Sequence, residues 1–258
     1  MKAVKAKKHF GQHFLKDKNI ALKIVDALKL NVDNIIEIGP GMGILSEFLF
    51  EKFTNCHFIE IDEESVNYLN NKIPGIGDKI IKADFLKVDL AADFKGKLAI
   101  IGNFPYNISS QIVFKILGHK EMIPEMVGMF QKEVAKRIAS PPGNKDYGIL
   151  SVLVQAYYNT EILFDLGPEC FSPPPKVHSA VLRLERNKTE KLDCNEKLFV
   201  SVVKHTFNQR RKMIRNSIKT ISGGGLLESE YLEMRPEQLG VEDFVKLTQQ
   251  LEFVNLKN

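Results

Sequence analysis

Three chemically useful residue groups recur where apolar runs end. Gly39 closes "NIIEIG" and opens a series with Gly41 and Gly43, Glu60 lies in "CHFIEID", and Asn103 lies in "LAIIGNF". A glycine turn between a strand and a helix lets a ligand approach the backbone and meet amides at the helix N-terminus. Glu60 stands 21 residues beyond Gly39, where a carboxylate can accept hydrogen bonds from both hydroxyls of a ribose. A nucleoside is the ligand class that such a pair suits. The dinucleotide fingerprint G-x-G-x-x-G fits poorly, because Ile44 stands where a small residue should be and the third glycine comes one step early.

The spacing G-x-G-x-G resembles instead the S-adenosyl-L-methionine loop of methyltransferases, in which the amino-acid part of the cofactor lies against the glycines. On that resemblance Asp84 accepts from the cofactor's adenine amine and Phe85 adds a backbone contact beside it; a turn or helix cap is the other reading of Asp84. A methyl donor gives "NFPY" (103–106) a chemical sense. The lone pair of a nucleobase amine is delocalised into the ring and must be localised before it can attack. The Asn103 side-chain oxygen and the Phe104 carbonyl can each accept one amine hydrogen and draw the nitrogen towards a tetrahedral shape. Pro105 holds the turn and offers no competing N–H, and Tyr106 can stack on a base swung out of its helix or loop. No general base is needed, because the leaving sulfide is neutral and the alkylated amine is acidic enough to lose its proton to solvent. An isolated Asn-x-Pro-Tyr reads as a turn followed by a packed tyrosine; the preceding ligand-bearing strand ends change that reading.

The elements that must carry these residues alternate in period. Apolar runs at 34–39, 56–62, 79–85 and 98–104 are separated by helical stretches at 44–53 and 63–73 and by a shorter connection. This predicts an α/β fold with a doubly wound, mostly parallel sheet of seven strands. The remaining strands are expected at 125–131, 161–166 and 176–185, with helices around 132–140 and 147–159. Ligands of such sheets bind beyond the carboxyl ends of the strands, where Gly39, Glu60, Asp84 and Asn103 all fall. After Arg186 a polar stretch leads into helical periodicity, broken at "SGGG" (222–225) and near Pro236. The expected division is therefore a catalytic domain over 1–186 and a small α-helical domain over 187–258.

Composition narrows the classes. No apolar run approaches the ~18 residues of a membrane span and no secretory h-region follows the lysine-rich start, so a cytoplasmic location is expected. Cys56, Cys170 and Cys194 have no C-x-x-C spacing, which favours reduced structural thiols. The pair His9 and His13 lacks a carboxylate or cysteine partner, so no metal is expected. Charge is segregated. Residues 1–23 hold seven lysines against Asp17, and 200–227 hold six bases and no acid, whereas 228–258 hold seven acids against three bases. Such separation suggests a phosphate-facing surface.

Over nearly the whole chain the sequence resembles the KsgA family of ribosomal RNA adenine dimethyltransferases, through "KKHFGQHFL", "EIGPGMGILSEFL", "IEID", "GNFPYNISSQIVFKIL", "FQKEVAKRI", "CFSPPPKVHSAVLRL" and "FNQRRKMIRNSIK". The resemblance implies dimethylation of two adjacent adenosines in the 3′-terminal hairpin loop of small-subunit (16S) rRNA in an immature 30S particle, by a monomeric enzyme. It implies S-adenosyl-L-methionine held by His13, Leu15, Gly39, Gly41, Glu60, Asp84, Phe85 and Asn103. It also implies a target adenine held by Asn103, Phe104, Pro105 and Tyr106, with Phe171 on its other face. His13 stands where the family generally has Asn, Phe104 where Leu or Ile is commoner, and His178 where Asp or Asn is usual.

If 207–219 is one helix, Arg211, Lys212, Arg215 and Lys219 form a phosphate-facing stripe opposite Phe207, Ile214, Ile218 and Ile221; a solvated helix face is the plainer reading. Two rival functions share these features. One is the sister group that methylates a single adenine of large-subunit rRNA and confers macrolide-type resistance, against which "FNQRRKMIRNS" argues. The other is a non-catalytic assembly factor, against which the intact Asn103 to Tyr106 argues. DNA adenine methyltransferases carry a related Asn-Pro-Pro-Tyr element, so the tetrapeptide alone does not select RNA.

Overall fold

The computed structural model describes residues 4–219, 221 and 228–257. Its strands are β1 (Phe14–Leu15), β2 (Asn34–Ile38), β3 (Cys56–Glu60), β4 (Ile80–Lys82), β5 (Leu98–Asn103), β6 (Glu125–Gln131), β7 (Tyr158–Leu166), β8 (Phe171–Ser172) and β9 (Ser179–Arg186). The helices are α1 (Lys18–Val25), α2 (Ile44–Lys52), α3 (Glu63–Lys72), α4 (Leu90–Asp93), α5 (Ser109–Gly118), α6 (Lys132–Ala139), α7 (Ile149–Gln155), α8 (Glu196–Asn208), α9 (Ile214–Ser217) and α10 (Val241–Lys257). Seven strands make one sheet in the order β4-β3-β2-β5-β6-β9-β7, and β1 pairs with β8 separately.

The sheet is parallel through β4, β3, β2, β5 and β6, and β9 returns antiparallel along β6. Strands rich in β-branched residues suit burial on both faces. Ile35, Ile101, Val127 and Val181 of neighbouring strands pack in one cluster with Ala21 and Ile24 of α1 and Leu45 and Leu49 of α2. Each fully buried Ile or Leu side chain contributes roughly 1.5–3 kcal/mol. Side chains cap the helices at their starts: Asp17 accepts from the Asn19 and Ile20 amides before α1, and Asp62 accepts from the Glu64 amide before α3.

Two of the expected strands are shorter than their apolar runs. The run 79–85 yields only Ile80–Lys82, and Asp84 caps a 3-10 turn over Phe85–Lys87. The run 56–62 ends at Glu60, because Asp62 is already the cap of α3. Acids that end an apolar run act here as helix caps and stop the strand.

The chain forms two compact units, Met1–Ala135 with Thr160–Arg186, and Lys136–Asn159 with Asn187–Asn258. Lys136–Asn159, placed in the first domain by its position along the chain, groups with the helical unit because α7 packs on α8 and α10. Within that unit the Tyr147, Phe207 and Phe244 rings stand in series, with centroids 6.0 and 5.9 Å apart.

The helix expected over 207–219 is not continuous. α8 ends at Asn208, residues 209–212 turn, and the extended Met213 precedes the single turn of α9. The Ile214 amide donates to the Met234 carbonyl at 2.8 Å. Without Gly or Pro in "FNQRRKMIRNS", nothing local marked this break; a tertiary hydrogen bond sets it. The break expected at 222–225 lies outside the described residues, while Pro236 opens a 3-10 turn to Gln238. Among the described residues no helix is long and apolar enough to cross a membrane.

Candidate active site

A cavity of about 270 Å³ opens beyond the carboxyl ends of β2, β3 and β5 and is lined by Gly39, Gly41, Glu60, Asp84, Phe85 and the whole Asn103–Tyr106 turn. Its floor begins at the glycine turn. Gly41 has φ +56°, and a Cβ there would lie 2.7 Å from the Phe14 ring. Only glycine meets both demands, a left-handed backbone and a close aromatic neighbour.

The Glu60 carboxylate braces that turn. One oxygen accepts from the Gly41 amide at 3.0 Å and the other from the Asp62 amide at 2.8 Å. Burial pushes its pKa above the ordinary glutamate value, while those amide bonds oppose the shift. A carboxylate can accept more than one hydrogen bond at each oxygen, and Glu60 lines the cavity. Asp84 likewise serves twice. One of its oxygens accepts from the Leu86 amide at 3.0 Å, as the capping reading predicts, and its side chain still borders the cavity.

At the end of β5 the Asn103 side-chain amide donates from Nδ2 to the His13 carbonyl at 2.6 Å. A carbonyl only accepts, so this bond orients the amide and makes Oδ1 its free acceptor end. The Phe104 ring turns away and is buried edge-on to Phe130, centroids 5.2 Å apart. Gly128 makes room for it, since a Cβ at that position would fall 2.2 Å from the ring. Phe104 is among the residues that line the cavity. Tyr106 hydrogen-bonds through its hydroxyl to the Ser179 hydroxyl, and its ring lies near-parallel to the His13 ring at 5.5 Å. Burial raises the Tyr106 pKa, so the phenol stays neutral. The His13 ring meets the Pro173 carbonyl at 2.8 Å through Nδ1, which must carry the proton.

Not every expected residue is at this cavity. Leu15 and Phe171 pair with each other between β1 and β8, and Phe171 is 1% exposed within the apolar cluster. The backbone pairing of "CFS" with "HFL" turns the ring inward, away from the cavity lining. Leu15 borders a smaller hollow with Glu37, Gly39 and Asn103. Arg211, Lys212, Arg215 and Lys219 are exposed in the other unit, on a turn and a short helix, and Arg215 pairs with Glu233.

Three groups were not named in the sequence reading. The first is the rest of the segment around His13, from His9 to Phe14, which lines the cavity with it and is tied down by Lys7 and Gln12 on Asp62. Desolvation raises the Asp62 pKa, but the Lys7 and Gln12 bonds outweigh it and hold the carboxyl below the usual aspartate range. The acid spacing in "EID" was the available signal. The second is Ile61, an apolar residue 47% exposed at the cavity edge beside Glu60. The third is Glu37, 2% exposed under the glycine turn, bonded to the Ser46 hydroxyl at 2.7 Å. Desolvation first, then the Glu60 charge, push its pKa up to about 8 against the Ser46 bond.

The chain matches known proteins in sequence and in fold. The family model described as ribosomal RNA adenine dimethylase matches residues 3–256. The Ribosomal RNA small subunit methyltransferase A of Flavobacterium johnsoniae is 54% identical over 98% of both chains. Its counterpart from Bacteroides thetaiotaomicron is 54% identical, covering 98% of this chain and 96% of its own. Among solved structures, a dimethyladenosine transferase from Plasmodium falciparum has the same fold, with TM-score 0.79 at 23% identity over 94% of this chain and 98% of its own. The 23S rRNA methyltransferase ErmE gives TM-score 0.67 at 25% identity over 93% of this chain and 99% of its own. A cavity at the strand ends lined by Glu60, Asp84 and an oriented Asn103 amide, and a family match over almost every residue, lead to one assignment: the chain belongs to the ribosomal RNA adenine dimethylase family.

Proposed function

We propose that this chain transfers methyl groups from S-adenosyl-L-methionine to the N6 amines of two adjacent adenosines in the 3′-terminal hairpin loop of 16S rRNA, on an immature small subunit. The observation that carries the reading is the Asn103 amide, whose donor end is spent on the His13 carbonyl, so that Oδ1 is left as the acceptor on a turn that lines the cavity.

The cavity's groups fit the cofactor chemically. Glu60 has lone pairs for a vicinal diol, Asp84 has an oxygen for an adenine amine, and the Gly39–Gly41 turn gives close backbone approach. When bound, the cofactor supplies a sulfonium methyl and a neutral thioether leaving group. Asn103 Oδ1 and the Phe104 carbonyl accept the two amine hydrogens, so the nitrogen lone pair turns out of the ring plane as positive charge builds on it. With a sulfonium methyl placed there, attack by the amine would form the N–C bond and release the neutral thioether, and the ammonium product would lose its proton to water. Tyr106, held by Ser179 and flanked by His13, stacks the extruded base. Residues 187–258 serve as the RNA-binding domain, with Arg211, Lys212, Arg215 and Lys219 on phosphates.

The small-subunit substrate is favoured over the large-subunit one by the relatives' 54% identity over 98% of the chain, against 25% for ErmE. Labelled S-adenosyl-L-methionine offered with under-methylated small subunits, large subunits, naked rRNA and DNA tests this. Label is expected in small subunits, two methyls on each of two adenosines. Label confined to large subunits would overturn the assignment.

A further inference from the structure

α5 begins just after the Asn103–Tyr106 turn, and near its other end it carries Lys115, whose Nζ donates to the carbonyls of both Phe85 and Val88. The same ammonium lies 4.9 Å above the Phe85 ring. Phe85–Lys87 is the 3-10 turn that Asp84 caps at its start; the Phe85 carbonyl accepts from the Val88 amide at 3.3 Å, and Lys115 adds a charged donor to it and to the Val88 carbonyl that follows. The turn is clamped at both ends, by the Asp84 carboxylate on the Leu86 amide and by the Lys115 ammonium on Phe85 and Val88. Asp84, Asp89 and Asp93 supply the surrounding negative charge and favour the ammonium, while burial lowers the Lys115 pKa.

We infer that Lys115 is a positioning residue for cofactor recognition: it holds the Asp84–Phe85 wall at the distance from the amine-polarising turn that adenine recognition requires. The inference rests on the reading of Asp84 as the acceptor of the cofactor's adenine amine. Three contacts converge on a 3-10 turn that has few hydrogen bonds of its own. Both walls of the cavity are thereby joined through one helix. Losing the ammonium frees the turn's carbonyls and lets Asp84 drift, which weakens selection of the amine without touching the polarising groups.

Binding of S-adenosylhomocysteine and of S-inosylhomocysteine, which carries an oxygen in place of the adenine amine, separates this role from general destabilisation. Wild type is expected to prefer the adenosyl compound by ten-fold or more. Lys115→Met, which keeps the aliphatic stem, is expected to bind it five- to ten-fold more weakly and to shrink the preference to about two-fold. Its kcat at saturating cofactor should stay within two-fold of wild type, and Lys115→Arg should restore most of the preference. An unchanged preference ratio in Lys115→Met overturns the inference. A wild-type chain that binds the two compounds equally removes the Asp84 reading itself, and this inference with it.

Discussion

The cavity and the basic surface hold their functional side chains in opposite ways. At the cavity each group is fastened by a second bond: Asn103 to the His13 carbonyl, Glu60 to two amides, Asp84 to the Leu86 amide, Tyr106 to Ser179. On the helical unit all four basic side chains are at the surface: Arg211 and Lys212 on a turn, Arg215 on a one-turn helix in an exposed pair with Glu233, and Lys219 just beyond that helix. Methyl transfer demands placement of an amine within a fraction of an ångström, whereas attraction between cations and a phosphate chain tolerates movement. Substitutions in the two regions should therefore fail differently, sharply in one and gradually in the other.

Asn103→Ala gives the largest expected effect. It removes one of two acceptors for the amine and should lower transfer by 10³-fold or more, equivalent to about 4 kcal/mol of transition-state stabilisation. RNA affinity should change little. A variant that keeps most of its single-turnover rate would show that polarisation lies elsewhere.

Glu37 tests how much the packed region costs to maintain. Its pKa is about 8 in the folded chain, against an ordinary 4.5. Between those values unfolding releases a proton, so stability falls as pH rises through the window, by up to about 1.4 kcal/mol per pH unit from this group. Glu37→Gln should flatten that slope and gain about 2–4 kcal/mol near pH 8 in urea denaturation. A slope that persists in the variant would assign it to other groups.

Gly128→Ala drives a methyl into the buried Phe104 ring. A loss of about 1–3 kcal/mol in stability is expected, with a fall in kcat as the Phe104 carbonyl shifts. Unchanged stability and kcat would mean that the ring relocates freely and does not set the carbonyl. The smallest effect belongs to the basic surface. Arg211→Ala with Arg215→Ala should weaken subunit binding about ten-fold and reduce the salt slope by about 2, one per phosphate contact. An unaltered slope would remove both residues from the RNA interface, and a collapse of kcat would erase the contrast between the two regions.

The difference also explains what could be read in advance. Strand ends in a parallel sheet are marked twice, by a switch in periodicity and by a polar or glycine residue, so Gly39, Glu60, Asp84 and Asn103 were located from order alone. The basic residues were recognised by type and their helix was misjudged, because the break after Asn208 is made by the Ile214 amide reaching the distant Met234 carbonyl. Phe171 shows the same limit at the cavity. Its place in "CFSPPP" pointed to a base, but pairing of β8 with β1 turns the ring into the core.

Local chemistry thus determined the α/β order of elements, the residues at the strand ends and the amine chemistry proposed for Asn103 to Tyr106. These follow from periodicity, turn propensity and donor–acceptor inventory, all properties of short stretches. Tertiary structure alone decided which end of the Asn103 amide is spent on the His13 carbonyl, that residues 9–14 line the cavity, that burial raises the Glu37 pKa, and that Lys115 bonds the Asp84 turn. Each of these depends on a partner 9 to 90 residues away in the chain, and only the fold sets that separation in space.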